Sequence, residues 1–281
     1  MTVALGLLAA VCYGVSDFAG GIAARLRRRA GGAVTVLLHS YPVGAVLMAA
    51  LLPAFPGTLT GRVFLFGTLG GVAGLIGVSI MYQLMVTAPM NVISPVTAVL
   101  AAIVPVVVGV GTGERPAPTA WTGMVVGMLA VALVSRTAED SPHGRLAASV
   151  IPLAVVSGAG FGLYFVFLAR AGHDSGLWPL VVSRIVSALL IVPLAWQRGA
   201  LHPLGGRTLA IAAGAGALDA LANMCFLLAS RHGLLSLAAV LTSLYPAVTV
   251  LLAVGFLREH TSTVQRCGLA LAAASIVLIT V

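Results

Sequence analysis

Apolar residues run through this chain in stretches of about 20, each ending at an arginine, a proline or glycine, or a polar cluster. The stretches fall near 2–24, 33–54, 62–86, 91–112, 117–135, 147–170, 177–197, 207–230, 233–257 and 262–281. A helix needs about 20 mostly apolar residues to cross the hydrocarbon core of a bilayer. The pattern therefore predicts an all-α polytopic membrane protein of ten transmembrane helices with short connections. The first stretch has no basic residue ahead of its apolar core and its arginines follow it, so it is read as an uncleaved first span.

The most polar connection, SRTAEDSPHGR at 135–145, lies halfway along the chain. It suggests a first five-helix repeat over 1–135, a polar linker over 136–146 and a second repeat over 147–281. Residues 61–135 lie on 206–280 without a gap at an offset of 145. Gly61, Arg62, Gly71, Thr97, Glu114 and Gly123 then fall on Gly206, Arg207, Gly216, Thr242, Glu259 and Gly268. Because a five-helix unit is odd, its two copies must enter the membrane in opposite directions, which is an inverted repeat.

Composition narrows the class. Hydrophobic residues make up 60% of the chain and charged residues 8%, too few to dress a water-soluble surface. The net charge of +8 comes with arginine as the only strong base. Nearly all arginines sit between spans, which is a topology signal and excludes a nucleic-acid footprint. Arg25, Arg27, Arg28, Arg29, Arg136, Arg145, Arg198, Arg207, Arg258 and Arg266 follow odd-numbered spans, against four arginines after even-numbered ones. The positive-inside bias places both termini outside. Cys12, Cys225 and Cys267 have no metal or redox spacing and are read as packing thiols.

Ionisable groups inside a span are costly and mark function by default. Asp219 lies twelve residues into the eighth span, about 18 Å at helical rise, hence near the midplane. Asn223 follows one turn later on the same face, and Arg184, seven residues into the seventh span, needs a carboxylate or a water-filled cavity to stay there, with Asp219 as the natural partner. Asp17 shares a face with Tyr13 in the first span and lies nearer a membrane face, where water reaches it. His39 and Tyr41 stand a turn or two into the second span, and Tyr82, Tyr164 and Tyr245 are packing residues or ligand contacts. The candidate substrate-binding set is Asp219, Asn223, Arg184, Asp17, Tyr13, His39 and Tyr164. Glu114 and Glu259 sit beside Arg115 and Arg258 and are read as paired surface charges. Pro42, Pro95, Pro105, Pro193 and Pro246 interrupt spans, where they free backbone carbonyls or permit bending.

The stretches GVSDFAGGIAAR, APMNVISPVTAVLAAIVPVVVG followed by GERPAP, DALAN, and LTSLYPAVTVLL followed by REH resemble EamA-type members of the drug/metabolite transporter superfamily over essentially the full length. The resemblance implies paired five-helix inverted repeats, a central cavity and alternating access, usually for export of amino acids, metabolites or toxic compounds. It also implies cytoplasmic termini, against the arginine count. The acid that related small multidrug exporters carry in their first helix has Asp17 as its nearest counterpart, further along the helix.

The expectation is a secondary transporter in the cytoplasmic inner membrane, exporting a small-molecule substrate with or without proton coupling, as a monomer or homodimer. No nucleic-acid partner and no cofactor or metal is expected. The chain has no GxxxxGK[ST] motif for ATP and no nucleophile–base or HExxH set, so it is not expected to be an enzyme. A channel-like protein or a non-transporting scaffold is the alternative.

Overall fold

The computed structural model of the protein describes residues 1–26, 32–87, 90–134, 144–257 and 262–280. Among these residues the regular structure is helical, without strands. The helices are α1 (Thr2–Leu26), α2 (Gly32–Leu51), α3 (Gly61–Thr87), α4 (Met90–Gly111), α5 (Pro118–Val134), α6 (Gly144–Arg170), α7 (Trp178–Gln197), α8 (Gly206–His232), α9 (Leu235–Thr242), α10 (Tyr245–Leu257) and α11 (Thr263–Thr280). Most of the polar linker, with Arg258 and Glu259, lies outside the described residues.

Among the described residues seven stretches are long and apolar enough to cross a membrane: Thr2–Leu26, Gly32–Ala54, Gly61–Met85, Pro152–Arg170, Trp178–Gln197, Gly206–His232 and Leu235–Phe256. Thr97–Gly111, Pro118–Leu133 and Thr263–Ile279 are apolar and shorter. Leu189, Trp196 and Phe256 are large, apolar and exposed on the outside of the bundle, a surface suited to lipid rather than water.

Of the five prolines expected to interrupt spans, four lie inside continuous helices: α2 runs through Pro42, α4 through Pro95 and Pro105, and α7 through Pro193. At Pro246 the helix does stop: Ser243 and Leu244 form a turn between α9 and α10. Proline has no N–H to bond the carbonyl four residues earlier, which here belongs to Thr242. The first half-helix closes with the Ser243 N–H donating to the Ala239 carbonyl at 2.9 Å.

Packing is dominated by α1 along α8, α5 along α11 and α3 along α6, with α2 against α7 and α8, and α3 against α7. α4 crosses α6, α10 crosses α1, and α5 pairs with α11 at the side. Lipid gives helices no hydrophobic reason to associate, so close van der Waals approach through small residues does that work. A Cβ on Gly216 of α8 would overlap the Ser40 carbonyl of α2, and one on Gly160 of α6 would come within 2.9 Å of the Ala73 carbonyl of α3. Hydroxyls fasten the same crossings: Ser157 Oγ donates to the Gly77 carbonyl at 2.7 Å, and Ser16 Oγ to the Ala215 carbonyl at 2.8 Å.

Two connections are built rather than draped. Arg231, at the end of α8, donates to Ser175 Oγ at 2.6 Å and to the Gly176 carbonyl at 2.7 Å in the α6–α7 turn. Gly172 and Gly176 in that turn have φ of 103° and 52°, the left-handed region that favours glycine. Glu114 does not act as a surface partner for Arg115. Its carboxylate accepts the N–H groups of Leu235 at 2.6 Å and Ser236 at 3.1 Å, capping donors that the first turn of α9 leaves without a helical acceptor.

Candidate functional site

α1, α2, α3, α6, α7 and α8 enclose a narrow, partly open cavity. Tyr13, Tyr41, Tyr82 and Tyr164 line it, four of the chain's five tyrosines. Arg184, Asp219 and Asn223 complete its polar wall, with Ser40, Ser183 and Ser187 beside them. Leu37, Val78, Phe161 and the small surfaces of Gly74, Ala215 and Gly216 make the rest apolar.

Arg184 Nη2 forms an ion pair with Asp219 Oδ2. The two are not equally reachable: the Arg184 side chain is 7% exposed and that of Asp219 25%. The guanidinium also lies over the Tyr41 ring, 5.5 Å from its centroid, where the π face attracts a cation. A buried charge this well surrounded stays in place, and the carboxylate in front of it is the charge that meets the cavity.

Asn223 is set by two contacts. Its Nδ2 donates to the Asp219 carbonyl one turn earlier at 2.6 Å, and its Oδ1 accepts the Tyr13 hydroxyl. Around the pair, Ser187 Oγ donates to the Gly71 carbonyl at 2.9 Å and Ser183 Oγ to the Leu180 carbonyl at 2.9 Å. Two donors at this wall have no such partner among the described residues: Arg184 Nε and the Tyr164 hydroxyl are buried without a hydrogen bond. An unmade hydrogen bond of this kind costs free energy until an acceptor arrives. The cavity therefore presents a carboxylate and, next to it, two donors in need of an acceptor.

The expected site residues divide three ways. Asp219, Asn223, Arg184, Tyr13 and Tyr164 all reach the cavity wall. His39 does not. Its Nδ1 bonds the Thr35 carbonyl at 2.8 Å and its Nε2 accepts the Leu204 N–H at 3.4 Å, so the ring ties α2 to the α7–α8 connection. Asp17 faces a separate chamber with Tyr13, Ala101, Phe161, Phe165 and Tyr245. The expectation that water reaches it at a membrane face is corrected: Asp17 is 6% exposed, covered by α4, α6 and α10. Ser40, Ser183 and Ser187 were missed as site residues, and Tyr82, weighed as packing or ligand contact, lines the cavity. Ser183 and Ser187 flank Arg184 one turn apart on the same helix, a polar stripe in an apolar span that points inward.

Among the described residues no group of three or more histidine, cysteine or acidic side chains is placed to hold a metal ion.

Residues 148–281 match the EamA-like transporter family. Over that half the chain is similar to EamA-type members of the drug/metabolite transporter superfamily, and its long apolar helices fit a membrane protein. A search of curated proteins finds no match. Among solved structures, one crystal structure of a protein is 17% identical, covering 99% of this chain and 96% of its own, with a TM-score of 0.73. At that identity the likeness is one of fold.

Proposed function

We propose that the protein is a secondary carrier that exports a small solute across the cytoplasmic membrane by alternating access. The observation that carries this reading is the Arg184–Asp219 pair inside a cavity walled by three helices of each half, α1–α3 and α6–α8. A charged pair in the interior of a bundle is expensive, and a cavity split between two halves opens to either face when the halves rock.

The packing supports ten spans arranged as two five-helix repeats over 1–135 and 147–281, with α9 and α10 together as one span. Exchanging each helix for its counterpart turns α1 on α8 into α6 on α3, α2 on α8 into α7 on α3, and α1 on α10 into α6 on α4, all of which are major contacts. The α5–α11 and α2–α7 contacts map onto themselves. Inverted-repeat carriers hold their substrate at such an interface.

In this reading Asp219 receives a cationic group of the solute. Arg184 Nε and the Tyr164 hydroxyl receive an acceptor on the same molecule, and the tyrosine faces hold its apolar part. A solute with an ammonium and a carboxylate close together, as in an amino acid, fits that order of groups.

Counterflow in proteoliposomes tests the function. Vesicles preloaded with unlabelled amino acid, polyamine, nucleoside or cationic drug are challenged with trace label, after a thermal-shift scan of the same compounds. Saturable counterflow lost in Asp219→Asn is expected. Flux that neither saturates nor shows counterflow identifies a channel and overturns the carrier reading.

A further inference from the structure

We infer that the break between α9 and α10 binds a sodium ion, at a site separate from the solute cavity. Thr242 ends α9, Ser243 and Leu244 form the turn, and Tyr245 opens α10, all inside the span Leu235–Phe256 and close to its middle. At that depth a chain that leaves its helix must find partners for the backbone groups it frees.

Four oxygens at the break have found none. Pro246 has no N–H to give the Thr242 carbonyl, and the Ala247 N–H, the helical partner of the Ser243 carbonyl, goes to the Leu244 carbonyl instead at 3.0 Å. Among the described residues neither carbonyl receives a hydrogen bond. Thr242 Oγ1 and Ser243 Oγ are likewise buried without a partner. The two residues are 0% and 1% exposed, so bulk solvent does not make good the loss. The same span does satisfy a hydroxyl where nothing is to be bound: Thr249 Oγ1 donates to the Gly14 and Tyr245 carbonyls, each at 3.3 Å.

The chemistry of the occupant follows from these groups. A carbonyl oxygen only accepts, so the occupant brings hydrogens or positive charge. The C-terminal end of α9 adds the negative end of its dipole. Transition metals select imidazole or thiolate and divalent hard cations select carboxylates, and Thr242 and Ser243 offer neither. Carbonyl and hydroxyl oxygens where a half-helix ends in mid-membrane are the groups by which interrupted helices hold sodium. An organic ammonium belongs to the cavity of Asp219, which neither Thr242 nor Ser243 lines.

α9 and α10 both pack on α1 and α4, so an ion that ties the two half-helices together steadies the side of α1 away from the solute. Coupling of that ion to transport rests on the carrier reading; its binding does not.

Thermal unfolding of the purified protein in detergent, without solute, tests the site in sodium chloride against potassium chloride and N-methylglucamine chloride at equal ionic strength. A saturable rise of the midpoint in sodium alone is expected. Thr242→Val and Ser243→Ala are expected to raise the half-saturating sodium concentration about tenfold, as damage to a metal site does. Pro246→Ala returns the missing N–H to the Thr242 carbonyl. That variant is expected to unfold at a higher temperature than the unmodified protein when sodium is absent, and to respond less to sodium. Equal midpoints in the three salts mean that water fills the break and overturn the proposal, as does a sodium response that Pro246→Ala leaves unchanged. Where a hydroxyl variant does not fold, Pro246→Ala, which adds a helical hydrogen bond, decides alone. Counterflow without a sodium response sinks this proposal only, and a sodium response without counterflow sinks only the carrier reading.

Discussion

Arg184 of α7 and Asp219 of α8 are joined by an ion pair although their two helices scarcely touch each other elsewhere. α2 packs against both, so the charges meet at the cavity and not across a packed α7–α8 interface. Removing one partner strands the other. Asp219→Ala is expected to destabilise the protein by about 3–5 kcal/mol, the general cost of breaking a buried pair, lowered by the cavity's access to Asp219. The double variant Asp219→Ala/Arg184→Met is expected to recover most of that loss. Thermal unfolding of both in one detergent gives the comparison, and equal losses in the two would show that the pair is not the cause.

Gly216 makes a second case. A methyl there overlaps the Ser40 carbonyl, a backbone atom that cannot step aside. Gly216→Ala is expected to push α8 from α2, lower the unfolding temperature and distort the cavity wall that Gly216 forms. Gly214→Ala, where a Cβ meets nothing within 4 Å, is expected to be neutral or slightly stabilising through helix propensity.

Glu114 and Arg115 are adjacent in sequence and separable by mutation. Glu114→Ala removes the acceptor for two amides of α9 and is expected to cost about 1 kcal/mol, as loss of a helix cap does. Arg115→Ala is expected to change little. Amide hydrogen exchange at Leu235 and Ser236 locates the effect: faster exchange in the first variant alone confirms the cap, and matched exchange in both restores the surface-pair view.

Arg231→Ala removes the side-chain donors that hold the α6–α7 turn at Ser175 and Gly176. Limited proteolysis or hydrogen exchange across 172–176 is expected to accelerate, with the cavity residues unchanged. An unaltered turn would mean that its glycine geometry and the Trp178 Nε1 bond to the Gly57 carbonyl at 3.2 Å suffice.

The helices and the ion pair were legible in the sequence for one reason: lipid permits few solutions. Apolar runs of fixed length read directly as helices, and an arginine and an aspartate inside such runs must find each other. The other site features depend on distance in sequence. Tyr13, Tyr41, Tyr82 and Tyr164 each look like ordinary packing residues within their own helices, and only the crossing of four helices brings them to one cavity. Glu114 misled because its nearest charge is a sequence neighbour, whereas its real partners are amides 121 residues away. Asp17 misled in the opposite sense: its position along α1 says little about cover that arrives from α4, α6 and α10.

The aromatic residues are sorted by type. The tyrosines look inward at the two chambers, while Trp121 and Trp196 stand on the outside at 39% and 73% exposure and Trp178 sits at the α6–α7 turn. The molecule thus carries two sets of rings with different surroundings. Emission from Trp121 and Trp196 follows the lipid or detergent around the bundle, whereas the tyrosine rings meet what enters it.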